Sequence, residues 1–193
     1  MQNDIEILLQ RLREIEDEFE KRVAERGVEF AYEFRKRRIV FEEAIAAEHR
    51  QARTGVIEFL RASPLSSLVV APVLYAFIIP LILLDLMTNL YQRVCFPIWG
   101  IRRLPRADFV RMDRVYLSYL NGIQKLNCVF CSYATGVLSW VREVASITEQ
   151  FWCPIKHALR VKSPHRRYGR FLDYGDTQDL EQRMEDLRSR LRE

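Results

Sequence analysis

The chain has 193 residues, 49% of them aliphatic or aromatic, which is room for one ordinary domain or two small ones. A formal net charge of +4 is too small to point to nucleic acid, and four cysteines are too few for a disulfide scaffold at this length. The start, MQNDIEILLQRLREIEDEFE, is acidic and amphipathic and lacks the basic, apolar and small-residue order of a cleavable signal.

Residues 2–60 read as one long helix, or as two separated near Gly27. Ile5, Leu8, Leu12, Ile15 and Phe19 alternate steps of three and four, the seam of a coiled coil. Val23 shifts the register; Phe30, Phe34, Phe41 and Ile45 continue the stripe, and Arg37 and Arg38 interrupt it. The stripe suits a protein partner or a second copy of the chain, or burial against the molecule's own helices. His49 falls among charges and is expected to be exposed.

Pro64 ends this helix or begins the next. No charge then appears between Arg61 and Asp85, a run of 23 residues. As a helix it would extend about 34 Å, against a bilayer hydrocarbon core of about 30 Å. The expectation is therefore a membrane segment. Pro72 and Pro80 each remove a backbone donor, so the segment is expected to span as a kinked helix or to bend near Pro80 into a helical hairpin. Tyr91, Phe96 and Trp99 suit headgroup level on its far side. Arg93, Arg102, Arg103, Arg106, Arg111 and Arg114 follow it, while Arg50, Arg53 and Arg61 precede it. Two basic flanks favour both on the cytoplasmic face of the membrane. Val129–Val141 is the one candidate for a second crossing.

From Arg114 to Leu159 the pattern is helical again. Tyr116, Leu120, Ile123 and Leu126 form a stripe that Phe130, Ala134, Val137, Val141, Val144 and Ile147 carry on, with a turn expected between Val141 and Phe151. Cys153-Pro154 reads as a helix start, and Asp176 or Thr177 as the cap of a last helix bearing Leu180, Met184, Leu187 and Leu191. No strand-like alternation stands out. The fold class is all-α, divided into a helical segment 1–62, a membrane segment 63–92 and a helical domain 93–193.

Cys128 and Cys131 are three apart, and Cys153 and His157 four apart, so on helices each pair shares a face. If two helices ran antiparallel, the pairs would meet in the two-plus-two layout of a structural zinc site, which would also stabilise folding. An iron–sulfur cluster on the same four side chains and a redox pair are the alternatives. The bland alternative is that these are small side chains in apolar helices. His165 is an alternative fourth ligand or a solvated loop histidine. Arg160, Lys162, Arg166, Arg167 and Arg170, interleaved with Tyr168 and Phe171, suit anionic lipid headgroups or phosphates, or pairing within the protein; nucleic acid fits them less well.

The segment NGIQKLNCVFCSYATGVLSWVREVASITEQFWCPIKHA resembles stretches of an uncharacterised group of bacterial membrane proteins, over roughly residues 93–176. The resemblance implies a bacterial origin and brings no activity with it. Glycine-rich phosphate loops, nucleophile elbows and H-E-x-x-H are missing from the sequence. The expected function is a non-enzymatic membrane-bound scaffold or accessory subunit that docks a partner through its helical ends. A membrane metalloenzyme or redox protein is the rival reading. A small-molecule carrier or channel component, hinted at by Asp85 alone, is another.

Overall fold

The computed structural model describes residues 2–29, 32–35, 38–41, 49 and 52–192. The protein is all-α apart from one small hairpin. Its elements are α1 (Gln2–Glu29), β1 (Tyr32–Arg35), β2 (Arg38–Phe41), α2 (Val56–Ala62), α3 (Leu65–Ala76), α4 (Ile78–Ile98), α5 (Gly122–Trp152) and α6 (Leu180–Ser189). They fall into two compact units, residues 1–63 with 113–128, and residues 64–112 with 129–193. The expected boundary at 92/93 is not one, because α4 runs through it.

In the first unit the expected helix over residues 2–60 is interrupted. It stops at Glu29, and an antiparallel hairpin follows, with Tyr32 opposite Phe41 and Phe34 opposite Ile39. The cause is local. Aromatic and β-branched residues crowd Tyr32–Phe41, and they fit a pleated ribbon better than a helix. Phe30, Arg37, Ile45 and Arg50 lie outside the described residues. His49 is half-buried, its ring edge-on to Tyr119 at 5.1 Å, rather than exposed. β2 packs against the short turn Asp113–Tyr116. The helix expected from Arg114 begins instead at Gly122. There Asn121 accepts the Gln124 N–H at 3.0 Å, and the Gln124 side chain accepts the Asn121 N–H at 2.9 Å, a reciprocal capping box.

In the second unit, α3 and α4 form one 34-residue helical rod, Leu65–Ile98, long and apolar enough to cross a membrane. Its break is a kink at Phe77, whose backbone stays right-handed helical; the rod does not fold back as a hairpin. Pro80 explains the place: it has no N–H for the Ala76 carbonyl, and its ring crowds that oxygen. No residue of α3 is buried. Along α4 the buried residues Leu81, Asp85, Thr88, Gln92 and Phe96 form a single stripe.

That stripe meets α5. Asp85 bonds Tyr133, Phe96 packs with Trp140, Val144 and Ile147, and Trp99 stacks on Phe151 at 4.8 Å. Residue numbers rise together along the two helices, so they run parallel, and the chain between them must come back. It turns at Gly100, whose φ of +71° suits the left-handed residue closing a helix. The Ile101 N–H bonds the Phe96 carbonyl at 2.8 Å and the Gly100 N–H the Pro97 carbonyl at 3.1 Å. The returning strand then lies against both helices, through Leu104 N–H to Gln92 and Trp140 Nε1–H to the Leu104 carbonyl.

The expected stripe on α5 holds, with Phe130, Ala134, Val137, Val144 and Ile147 buried and Trp140 beside them. The expected turn does not, for α5 is unbroken over 31 residues. Cys153-Pro154 follows the end of this helix rather than starting one, since the residue before a proline is driven out of the helical region. Beyond it Ile155 bridges Leu172. The last helix is entered through Asp179, while Asp176 accepts the Gln178 N–H and binds Arg183 at 2.6 Å. Arg183 thereby draws the Asp176 carboxyl below its usual range. α6 closes the end of α5: Leu187 is buried, and Arg188 Nε donates to the Phe151 carbonyl at 2.7 Å, where a cation suits the helix terminus.

Candidate functional site

The four side chains expected around a metal do not come together. Cys131 and Cys153 lie on, and just past, one unbroken helix, 22 positions or about 33 Å apart. The zinc arrangement needed a turn that α5 does not make, and the iron–sulfur cluster on the same four fails for that reason. Cys128 precedes Cys131 by one turn, and all four cysteines are unbridged. His157 stacks on Tyr168 at 6.2 Å, and its N–H donates to the Tyr168 hydroxyl at 2.7 Å. Among the described residues, no three His, Cys, Asp or Glu side chains are grouped to hold a metal.

The basic cluster divides. Arg167 is half-buried and paired with Glu143 at 2.8 Å, so it serves the fold. Arg160, Lys162, Arg166 and Arg170 stay on the surface. His165 is no solvated loop residue. Its Nδ1 accepts the Arg167 N–H at 3.2 Å, which leaves Nε2 to donate to Glu149 at 2.9 Å. The loop is thus tied down on α5, helped by Arg142, which donates to the Ser163 carbonyl at 2.6 Å.

The polar centre of the second unit escaped the sequence reading. Asp85, at the end of the uncharged run, turns inward and is 8% exposed. Arg106 comes back along α4 to meet it. Its Nε donates to Asp85 Oδ1 at 2.9 Å and its Nη2 to Oδ2 at 2.7 Å, a two-pronged grip of the planar fork. Tyr133 donates its hydroxyl to Oδ2 at 2.9 Å and Asn89 its amide to Oδ1 at 3.2 Å. The guanidinium also sits 5.7 Å from the Tyr133 ring centre. The hydrogen bond to Asp85 holds the Arg106 pKa above its ordinary value. Burial, aided by its hydrogen bond to Asp85, pushes the Tyr133 phenol up. The network is therefore a cation, a carboxylate and a neutral phenol, with net charge near zero. A charge held this way ties α4, the returning strand and α5 together. The signal for Arg106 was a surplus of arginines after the apolar run; nothing in the sequence singled out Tyr133.

Beside this network, α4 and α5 leave an open groove of about 480 Å³, lined by Met87, Tyr91, Val144, Thr148, Glu149 and Trp152 among others. Tyr91 and Thr148 share a hydrogen bond of 2.9 Å on its wall.

No family model, curated protein or solved structure matches the chain. Its function has to be read from the geometry alone.

Proposed function

We propose that this chain is a non-enzymatic scaffold or accessory subunit anchored in a bacterial inner membrane by the rod Leu65–Ile98. The observation that carries this reading is the rod's outward face. Leu65, Val69, Val73, Ile79, Leu83, Leu86 and Leu90 are all more than half exposed. The one carboxylate in the run is turned inward and paired, so the first exposed charge after Arg61 is Arg93. An uncharged face from Leu65 to Leu90 is about 39 Å long, more than the ~30 Å core of a bilayer. Soluble monomers rarely show water an apolar patch above a few hundred Å².

The chain leaves the first unit at Ser63 and re-enters it at Asp113. Within that unit, segments from both sides of the rod touch: β2 packs on Asp113–Tyr116, and His49 on Tyr119. A straight crossing would part these contacts by a membrane. The rod is therefore immersed from one face, with both basic flanks on the cytoplasmic side and the exposed Arg160, Lys162 and Arg170 turned to anionic headgroups. The resemblance to bacterial membrane proteins agrees with this place.

Two measurements test it. The protein should remain in the membrane pellet through high salt and carbonate and leave it only in detergent; release by carbonate would sink the anchoring. Reporters fused to the two ends should both read cytoplasmic; opposite readings would sink the one-faced insertion.

A further inference from the structure

We propose that loop 156–164 binds one anionic phospholipid, its phosphate held by Arg160 and Lys162 and its chains lying against Leu159 and Val161. This rests on the membrane anchoring proposed above and names the lipid group that the basic surface takes. The loop curves around an open cavity of about 1030 Å³, lined by Lys156, His157, Arg160, Lys162, Ser163 and Tyr168 among others. That is at the upper end of the ~300–1,000 Å³ usual for small-molecule sites, and more than a bare phosphate would fill.

Charge selects the phosphate. Residues 156–164 carry three cations and no carboxylate. Lys156 is already paired with Asp173 at 2.7 Å. Arg160 and Lys162 are exposed and, among the described residues, neither has an ion pair; Ala158 to Ser163 donate no hydrogen bond from side chain or backbone. Two cations on one cavity wall repel each other until an anion joins them, and the planar guanidinium fork fits a phosphate. The loop is shaped in advance. The His157 N–H donates to the Tyr168 hydroxyl at 2.7 Å, and Arg142 donates to the Ser163 carbonyl at 2.6 Å. Ser163 itself is left-handed, with φ of +54°, a backbone that a residue with a side chain adopts only where its surroundings impose it. A loop already held this way loses less freedom when its ligand arrives.

Polarity and position select a lipid over a soluble phosphate. Leu159, at 83%, is the most exposed large apolar side chain among the described residues, and Val161 is 37% exposed. They alternate with the two cations, so the wall that meets a phosphate also offers apolar surface to what carries it. The loop is fastened to α5 through Arg142 and, by way of His165, through Glu149. Val141 and Thr148, on the same stretch of α5, line the groove with Met87 and Tyr91. The loop is therefore level with the end of the rod's uncharged face, between Leu90 and the exposed Arg93. On the proposed anchoring, that is where hydrocarbon gives way to headgroups.

The test is native mass spectrometry of the purified full chain in a non-ionic detergent, titrated with dioctanoyl phosphatidic acid, dioctanoyl phosphatidylcholine or inorganic phosphate. One phosphatidic acid should stay bound per 23.0 kDa chain, with phosphatidylcholine held far more weakly. Arg160→Gln combined with Lys162→Gln should weaken phosphatidic acid about tenfold, and Leu159→Ser should weaken it further. Arg190→Gln, which removes an exposed cation beyond α6, should leave binding unchanged. All four side chains are exposed, so the variants should fold, and an unchanged melting temperature checks this. Equal binding of the two lipids, or an equal loss from Arg190→Gln, marks general surface charge and overturns the site. Displacement of phosphatidic acid by an equal concentration of inorganic phosphate overturns the lipid in favour of a soluble phosphate. Release of the chain by carbonate overturns the anchoring and the lipid together. Loss of selectivity in a chain that resists carbonate overturns the loop site alone.

Discussion

Asp85 and Arg106 form an ion pair that is neither on the surface nor fully enclosed, their side chains being 11% and 35% exposed. Exposed pairs are worth ~0–1 kcal/mol and breaking a buried one costs ~3–5 kcal/mol. Asp85→Ala should therefore destabilise by about 1–3 kcal/mol, because Arg106 and the Tyr133 hydroxyl lose their acceptor. For a chain of this size that is ~2–4 °C of melting temperature per kcal/mol, measurable in detergent. The double variant with Arg106→Ala should lose less than the sum of the two single losses; strict additivity would mean that the contact does not couple. Gly136 makes an opposite demand on intuition. Alanine favours a helix by ~1 kcal/mol, yet a Cβ at 136 would lie 2.8 Å from both the Phe109 carbonyl oxygen and the Val110 Cα. Those are backbone atoms of the returning strand, and they cannot swing aside. Gly136→Ala should lower stability by about 1–2 kcal/mol net of propensity, and a rise in melting temperature would refute the close approach.

Helices α1 and α5 show how far local pattern reaches. The apolar seam of α1 and the buried stripe of α5 were both legible, because a 3.6-residue repeat ties side-chain direction to sequence spacing. Ends were harder. The hairpin at Tyr32–Phe41 was missed because Phe34 and Phe41, seven apart, fit a helical stripe as well as a strand. The start of α5 was in fact written in Asn121 and Gln124, three apart, but it was overlooked. Asn121→Ala should cost ~1 kcal/mol and fray the first turn of α5, visible as faster amide exchange over 122–125 and unchanged exchange in α6. Fraying of both helices alike would point to global loss instead. The metal arrangement failed on continuity. Cysteine spacing is local information, whereas a turn between Val141 and Phe151 was an assumption. Every side chain from Val144 to Phe151 is compatible with helix, so α5 simply continues.

For the whole molecule, the decisive relation is between the rod and its two flanks. Residues 64–112 leave and rejoin the same unit, and the returning strand carries the exposed Arg102 and Arg103, which could not pass back through hydrocarbon unpaired. On the proposed anchoring, a protein built this way would be held by one leaflet. It follows that the carbonate and reporter experiments should agree: firm attachment, with both ends on one side.

What the amino-acid order determined by itself was the all-α class, the greasy run with a bend near Pro80 that left a kinked rod and a hairpin both open, and the apolar stripes of α1 and α5. These follow from nearest-neighbour physics: hydrophobic periodicity, proline's missing donor, and capping. Only the tertiary structure decided that Cys131 and Cys153 stay apart, that Arg106 returns to meet Asp85, and that the apolar face therefore outlasts the carboxylate that interrupts it in sequence. Those outcomes depend on which distant segment fills a given space, and a charge is neutral to its surroundings only when its partner is there.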